Sequence, residues 1–253
     1  MRQNHSIKIL GINFFKGDVE EVVYLLKSGG LLVVPAAPAL VNITQDTSYY
    51  QSLQCADIVI PDSAFMTLVW NLISRERIYR ISGLAFLKTF LTDKEVISST
   101  DIMLVDPRSR EAASNLAYLR SNGFTLNNEI SYVAPIYDKA RVEDEVLLDM
   151  IEEKKPRFVL INLGGGTQEK LGAYLKERLS YTPAIICTGA AIAFLTGQQV
   201  KIPTWVDKYY LGWLFRCFEK PGLYVPRYMK GFRLLKLLLS YGKEAPVLHE
   251  LAD

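Results

Sequence analysis

The sequence predicts an α/β fold: a doubly wound, mainly parallel, Rossmann-like sheet followed by a C-terminal helical, membrane-facing appendage. Three observations carry this reading. Short β-branched runs alternate with helical patterns over most of the chain, which calls for crossover units. The central run, DIVIP at 57–61, is continuously apolar, as in a parallel strand covered on both faces. After about residue 200 strand-like alternation ceases and a basic, aromatic-rich segment begins. Residues 1–200 are thus read as the α/β core and 201–253 as the appendage.

Taken in order, strands are expected at 8–14 (KILGINF), 31–35 (LLVVP), 57–61 (DIVIP), 101–106 (DIMLVD), 130–134 (ISYVA), 157–163 (RFVLINL) and 184–189 (AIICTG). Between the first two, DVEEVVYLLKSG places Val22, Val23, Leu25 and Leu26 on one helical face, with Gly29 as its stop. Segments 109–123 and 142–155 read as helices in the same way. No internal repeat or low-complexity tract is present.

The chain has 253 residues, 49% hydrophobic and 22% charged, enough for a sizeable core and inconsistent with disorder. A net charge of +2 does not suggest nucleic acid on bulk grounds. No stretch approaches the roughly 18–20 apolar residues of a spanning helix, and MRQNHSIKIL lacks the long apolar segment of a secretion signal. Cys55, Cys187 and Cys217 show no metal-type spacing. Cys55 and Cys187 lie beside apolar runs and read as core residues. A cytoplasmic location is the default expectation.

Functional candidates cluster at strand ends. CADIVIPD (55–62) stops at Pro61, leaving Asp62 at the carboxyl end, where open α/β sheets bind ligands. Asp62 reads either as a functional carboxylate or as the N-cap of a helix from Ser63 to about Trp70, since Asp is a preferred cap. Gly164, Gly165 and Gly166 lie between a strand and a helix, where a backbone can approach an anion closely. They match neither the dinucleotide fingerprint nor a P-loop. Gln168 and Glu169, on the first turn, offer an amide and a carboxylate to a sugar or base edge; the alternative is a plain loop with a solvated first turn. Arg80, before Gly83, follows what reads as a strand-edge segment and is suited to a phosphate or carboxylate, or is an ordinary surface arginine. His5 and His249 lie near the termini, so proton transfer falls to carboxylates.

Over 201–243 basic residues outnumber acidic ones and aromatics are interleaved. This is the composition of a segment on an anionic membrane surface, RYMKGFRLLKLLL being the best contact; the alternative is a helix packed on its own domain. No RNA-binding motif is present.

In their order, these blocks resemble the WecG/TagA/CpsF family of bacterial glycosyltransferases over about residues 7–230. CADIVIPD is similar to the family's A-D-x-V-x-P-D-G block, RISG (80–83) to R-x-x-G, and GGGTQEK (164–170) to G-x-P-K-Q-E. IPTW, LGWLFRCFEKP (211–221) and RY (227–228) resemble the family's A-P-x-W…L-E-W-x-x-R-x-x-x-E-P…R-Y ending. The resemblance implies an inverting, metal-independent transfer of an N-acetylmannosamine-type sugar from a UDP-sugar donor, with no cofactor. The implied acceptor is a polyprenyl-diphosphate-linked sugar of teichoic acid, common-antigen, capsule or exopolysaccharide synthesis. It implies Asp62 as general base, Arg80 and Gln168 near the donor sugar and diphosphate, and Arg216 and Arg227 on an appendage that meets the inner face of the membrane. Self-association is also implied.

Alongside that base, the chemistry calls for an unneutralised Asp62, with Arg80, Arg216 and the helix N-terminus after Gly166 receiving the diphosphate. The chain departs from the family pattern at Val34-Pro35-Ala36 (T-P-N), Ser63 (the Gly of P-D-G), Ala85 (an acidic residue) and Asp106-Pro107 (Gly-Gly). Gly212, Lys220 and Leu223 depart likewise in the appendage. These losses bear on the identity of donor and acceptor, and they admit a second reading: a catalytically silent homologue docked at the membrane beside another transferase.

Overall fold

The computed structural model describes residues 5–99, 101–126, 130–198, 222 and 231–248. The first expected strand is in fact a hairpin, β1 (Ser6–Ile9) and β2 (Ile12–Phe15), paired antiparallel with Ile9 opposite Ile12. Leu10 and Gly11 both take positive φ, 53° and 75°, as a two-residue hairpin turn with the twist of its strands requires. Glycine reaches that region freely and leucine does not. Tertiary contacts hold the turn: the Leu10 and Gly11 N–H groups donate to the carbonyls of Gly242 (2.8 Å) and Lys243 (3.1 Å), and Tyr50 Oη donates to the Leu10 carbonyl (3.0 Å).

Helix α1 (Val19–Leu26) is capped by Asp18, whose carboxylate accepts the Glu21 N–H at 2.8 Å, and ends before Gly29, at φ 89°. Val22, Val23 and Leu26 are buried, whereas Leu25, expected on that face, is exposed. Then come β3 (Gly30–Val33), α2 (Ala37–Leu40), α3 (Thr47–Gln54), β4 (Ile58–Val59) and α4 (Ala64–Ile73). These are followed by α5 (Gly83–Thr92), α6 (Lys94–Ser98), β5 (Ile102–Asp106), α7 (Ser109–Ser121) and β6 (Ser131–Val133). Helix α8 (Glu145–Lys154), β7 (Phe158–Ile161), α9 (Thr167–Arg178), β8 (Ala184–Cys187) and α10 (Ala191–Leu195) complete the alternation. A last described helix, α11, spans Phe232–Tyr241.

The eight strands form one sheet in the order β1-β2-β4-β3-β8-β7-β5-β6. Every pairing except β1·β2 is parallel. Side chains alternate between two apolar cores, as a pleat of period two dictates. Leu31, Val33, Val59, Met103, Val105, Val159, Ile161 and Ile185 face one core, with α3, α4, α8, α9 and α11. Leu32, Ile58, Ile102, Leu104, Phe158, Leu160 and Ile186 face the other, with α1, α5 and α10. Phe90 of α5 closes the second core, stacked on Phe86 (5.8 Å) and edge-on to Phe158 (5.2 Å).

Of the basic tail, α11 lies on the protein itself. Leu234 and Leu238 are buried in the first core, and Phe232 meets Phe65 of α4 edge-on at 6.3 Å. Arg233, Lys236 and Leu239 face outward. Among the described residues no helix is long and apolar enough to cross a membrane. Cys55, expected in the core, is exposed at the end of α3, whereas Cys187 is buried on β8.

Because Leu238 belongs to the main core, Leu238→Ala should destabilise the whole domain by about 2–5 kcal/mol in a single cooperative urea transition. A low-denaturant phase confined to α11, with the main transition unmoved, would show instead that this helix rides on the surface.

Candidate functional site

Strand β4 is short and its end is abrupt. The Ile60 N–H still donates to the Val33 carbonyl (2.9 Å), Pro61 has no N–H to give, and the Asp62 N–H turns back to the Ile60 carbonyl (3.0 Å). The cap of α4 is Ser63, whose Oγ accepts the Met66 N–H at 3.1 Å. Capping of α4 by Asp62 is thereby excluded. Its Oδ1 instead accepts the Gly83 N–H at 3.1 Å and an Nη2–H of Arg80 at 3.2 Å. Arg80 Nε also donates to the Asp62 carbonyl at 2.7 Å. The Asp62 side chain is 27% exposed, that of Arg80 15%. Oδ2 has no hydrogen bond among the described residues.

Two expectations change here. Asp62 is paired with a guanidinium, so it is not unneutralised, and Arg80 is turned onto Asp62 from the loop between α4 and α5 rather than from a strand edge. A part-exposed ion pair contributes only about 0–1 kcal/mol to stability. What the contact does is orient: one carboxylate oxygen is fixed from two directions and the other is left over. Gly83 makes this possible, since a β-carbon there would stand 2.9 Å from Val34 Cγ1 and push the first turn of α5 away.

Gly164, Gly165 and Gly166 connect β7 to α9 at the same edge. Strands lie about 4.8 Å apart, so with β3 and β8 between them this turn is roughly 14 Å from the end of β4. Its surface is open: a β-carbon at Gly164 or Gly166 would meet nothing within 4 Å, and at Gly165 only Ala39 Cβ at 3.7 Å. The amides of the helix start are used internally, however. Gly166 N–H donates to Glu169 Oε2 (2.6 Å), and the Thr167 and Gln168 N–H groups both donate to the Gly164 carbonyl (3.2 Å).

Gln168 and Glu169 are 2% and 1% exposed, so the first turn is neither solvated nor reaching outward. Gln168 Oε1 accepts the Gly189 N–H at 2.7 Å and its Nε2 donates to Glu169 Oε1 at 3.1 Å, tying the turn after β7 to the turn after β8. Lys170 Nζ spans to Asp46 (2.7 Å) and the Lys139 carbonyl (2.7 Å). Burial pushes the Glu169 carboxyl up to about 7, against hydrogen bonds from Gln168 and Gly166 and the charge of Lys170 that favour its anion.

A third cluster escaped the sequence reading. Asp106, the last residue of β5, is wholly buried, and its Oδ1 accepts Nδ2–H groups of Asn115 (2.7 Å) and Asn162 (2.8 Å). Burial raises its carboxyl above the usual range despite those two bonds. Beside it lies a cavity of about 200 Å³ whose walls include Asp106, Glu111, Asn115, Asn162 and Ile192. The available signal was Asp106 closing an apolar run as Asp62 does, and Asn162 interrupting the apolar run FVLINL.

Three of the sequence blocks, at 55–62, 80–83 and 164–170, therefore converge on one sheet edge. A family-level comparison matches residues 7–246 to the description Glycosyl transferase WecG/TagA/CpsF family. The chain belongs to the WecG/TagA/CpsF family of glycosyltransferases. Comparison with curated proteins finds no match. In this WecG/TagA/CpsF member the structure brings together Asp62, Arg80 and Gly83, and separately Gly164–Gly166 with Gln168 and Glu169. Arg216 and Arg227 lie outside the described residues, as do Gly212, Lys220 and Leu223.

Glu169 predicts a pH dependence. Its folded-state value of about 7 lies above the ordinary 4.5, so between those values the folded chain holds more protons than the unfolded one. Stability is therefore greatest below about pH 4.5 for this group and falls as pH rises through 7, by about 3 kcal/mol in all. Urea unfolding from pH 5 to pH 8 should show that decline, and Glu169→Gln should flatten it. An equal slope in the variant would assign the decline to other groups.

Proposed function

We propose that the protein is an inverting glycosyltransferase that moves a sugar, of N-acetylmannosamine type or related, from a UDP-sugar to a polyprenyl-diphosphate-linked acceptor in cell-surface polysaccharide synthesis. Family membership supports sugar transfer. The observation that carries the finer reading is the carboxylate of Asp62 at the carboxyl edge, with Oδ1 anchored by Arg80 and Gly83 and Oδ2 without a hydrogen bond among the described residues.

In this reading Oδ2 takes the proton of an acceptor hydroxyl as its oxygen bonds to the anomeric carbon. The bond from that carbon to the diphosphate oxygen breaks on the opposite face, and the diphosphate leaves with the electron pair. Arg80 and the Gly83 N–H hold the carboxylate in line, a positioning task. The open glycine turn at 164–166 gives the donor a surface without side chains, and Gln168 and Glu169 keep that turn in place. By the family resemblance, Arg216 and Arg227 meet the departing diphosphate, and no metal or other cofactor takes part. The basic, aromatic composition of the tail supports attachment at the inner face of the membrane, where a lipid-linked acceptor is presented.

Asp62→Asn should lower sugar transfer by ~10²–10⁴, the usual contribution of a positioned base, with donor affinity nearly unchanged by calorimetry. Transfer at the wild-type rate would remove Asp62 from the mechanism. Arg80→Lys keeps a charge but loses the two-point contact, and should lower kcat with little change in the donor's KM. A rise in KM alone would place Arg80 on the donor instead.

A further inference from the structure

We propose that Lys170 is a positioning residue: by tying two neighbouring loops to the first turn of α9, it sets the glycine turn at 164–166 against the segment joining α2 to α3. What this does for a donor rests on the reading of that turn given above. The placement of Lys170 is unfavourable on local grounds. A cation in the first turn of a helix opposes the helix dipole, and Lys170 is the fourth residue of α9. Its side chain is only 7% exposed, and a buried ion pair is a weak source of net stability because both charges lose hydration. The contacts show what the lysine does instead.

An ammonium has three hydrogens to give, and three oxygens stand around Nζ: Asp46 Oδ1 at 2.7 Å, Asp46 Oδ2 at 2.8 Å and the Lys139 carbonyl at 2.7 Å. Asp46 is itself held, since its Oδ1 accepts the Tyr49 N–H at the start of α3 (3.0 Å) and its N–H donates to the Asn42 carbonyl (2.9 Å). A few residues upstream, Ala39 of α2 faces the glycine turn: a β-carbon at Gly165 would lie 3.7 Å from Ala39 Cβ. The segment from Ala39 to Asp46 therefore meets the glycine turn at one end and is tied to Lys170 at the other. Lys139 belongs to the loop between β6 and α8. That loop is pinned on either side of it, by the Ala134 N–H on the Asp106 carbonyl (2.9 Å) and by Tyr137 Oη on Asp144 Oδ2 (2.6 Å). Three consecutive side chains of one turn thus serve three directions. Gln168 reaches the turn after β8, Glu169 holds Gly166, and Lys170 holds the loops before α3 and α8.

Lys170 touches no reacting atom in this scheme; it acts through the wall that Ala39 presents to the glycine turn. Releasing Asp46 frees that wall to retreat, which weakens ground state and transition state alike. Lys170→Met, in the full chain, should therefore weaken UDP binding in calorimetry about tenfold and raise the donor's KM to match, with kcat changed little. Lys170→Arg, whose guanidinium can meet a carboxylate at two points, should restore both. Asp46→Asn tests the same link without emptying a buried position, because asparagine still caps α3. In Lys170→Met and Asp46→Asn, amide hydrogen exchange should quicken at 39–46 and 164–166 while the rest of the sheet keeps its protection. Exchange quickened equally throughout the sheet would make Lys170 a general stabiliser and overturn the assignment. So would unchanged exchange and UDP affinity in both variants, or a fall in kcat with KM unmoved. If the unaltered chain binds no UDP, the donor reading of the turn falls, and the exchange contrast alone decides the role of Lys170.

Discussion

A parallel sheet covered on both faces leaves polar chemistry almost nowhere to go, and that constraint organises this protein. Residues of β3, β5, β7 and β8 are buried on both sides, shared between two apolar cores. A charge placed mid-strand would lose its hydration with nothing to replace it. Only where the ladder stops do backbone and side chains regain partners or water. Asp62, Asp106, Asn162, the turn at 164–166 and Thr188 all stand at that one edge, just at or beyond the ends of β4, β5, β7 and β8.

The edge is not uniform. At β4 the carboxylate is part-exposed, with a guanidinium and one amide N–H on a single oxygen, an arrangement that fixes its direction. At β5 the carboxylate is fully buried and held by neutral amides, and burial raises its proton affinity. Between them, Gln168 and Glu169 brace the turns after β7 and β8 with their side chains hidden. Carboxyl groups in such different surroundings are equipped for different tasks. In the proposed reaction the first accepts a proton, whereas Glu169 holds backbone.

How much of this was legible follows from the range over which each feature is encoded. The parallel strands were, because a doubly covered strand must be an apolar run, as FVLI within RFVLINL and IMLV within DIMLVD are. The hairpin was not: Leu10-Gly11 lacks the Asn-Gly or Asp-Gly signature, and its positive-φ leucine is sustained by Gly242 and Lys243, far along the chain. Asp62 was placed at the right edge, yet its partner Arg80 comes from the far side of α4, which local pattern cannot reveal. Gln168 and Glu169 were visible as polar residues on a first turn, but the direction they face depends on β8. The Asp106 cluster draws on 106, 115 and 162, with no spacing that would announce it.

The close fit between Gly83 and Val34 has a consequence for which substitutions this edge tolerates. Threonine has nearly the outline of valine, so an exchange at Val34 would keep the contact with Gly83 while adding a hydroxyl. A bulkier residue at either position would spread the β3 loop from α5 and carry the Gly83 N–H away from Asp62. Change at this spot is thereby channelled into swaps of polarity at constant shape, while the scaffold that aims the Asp62 carboxylate stays still.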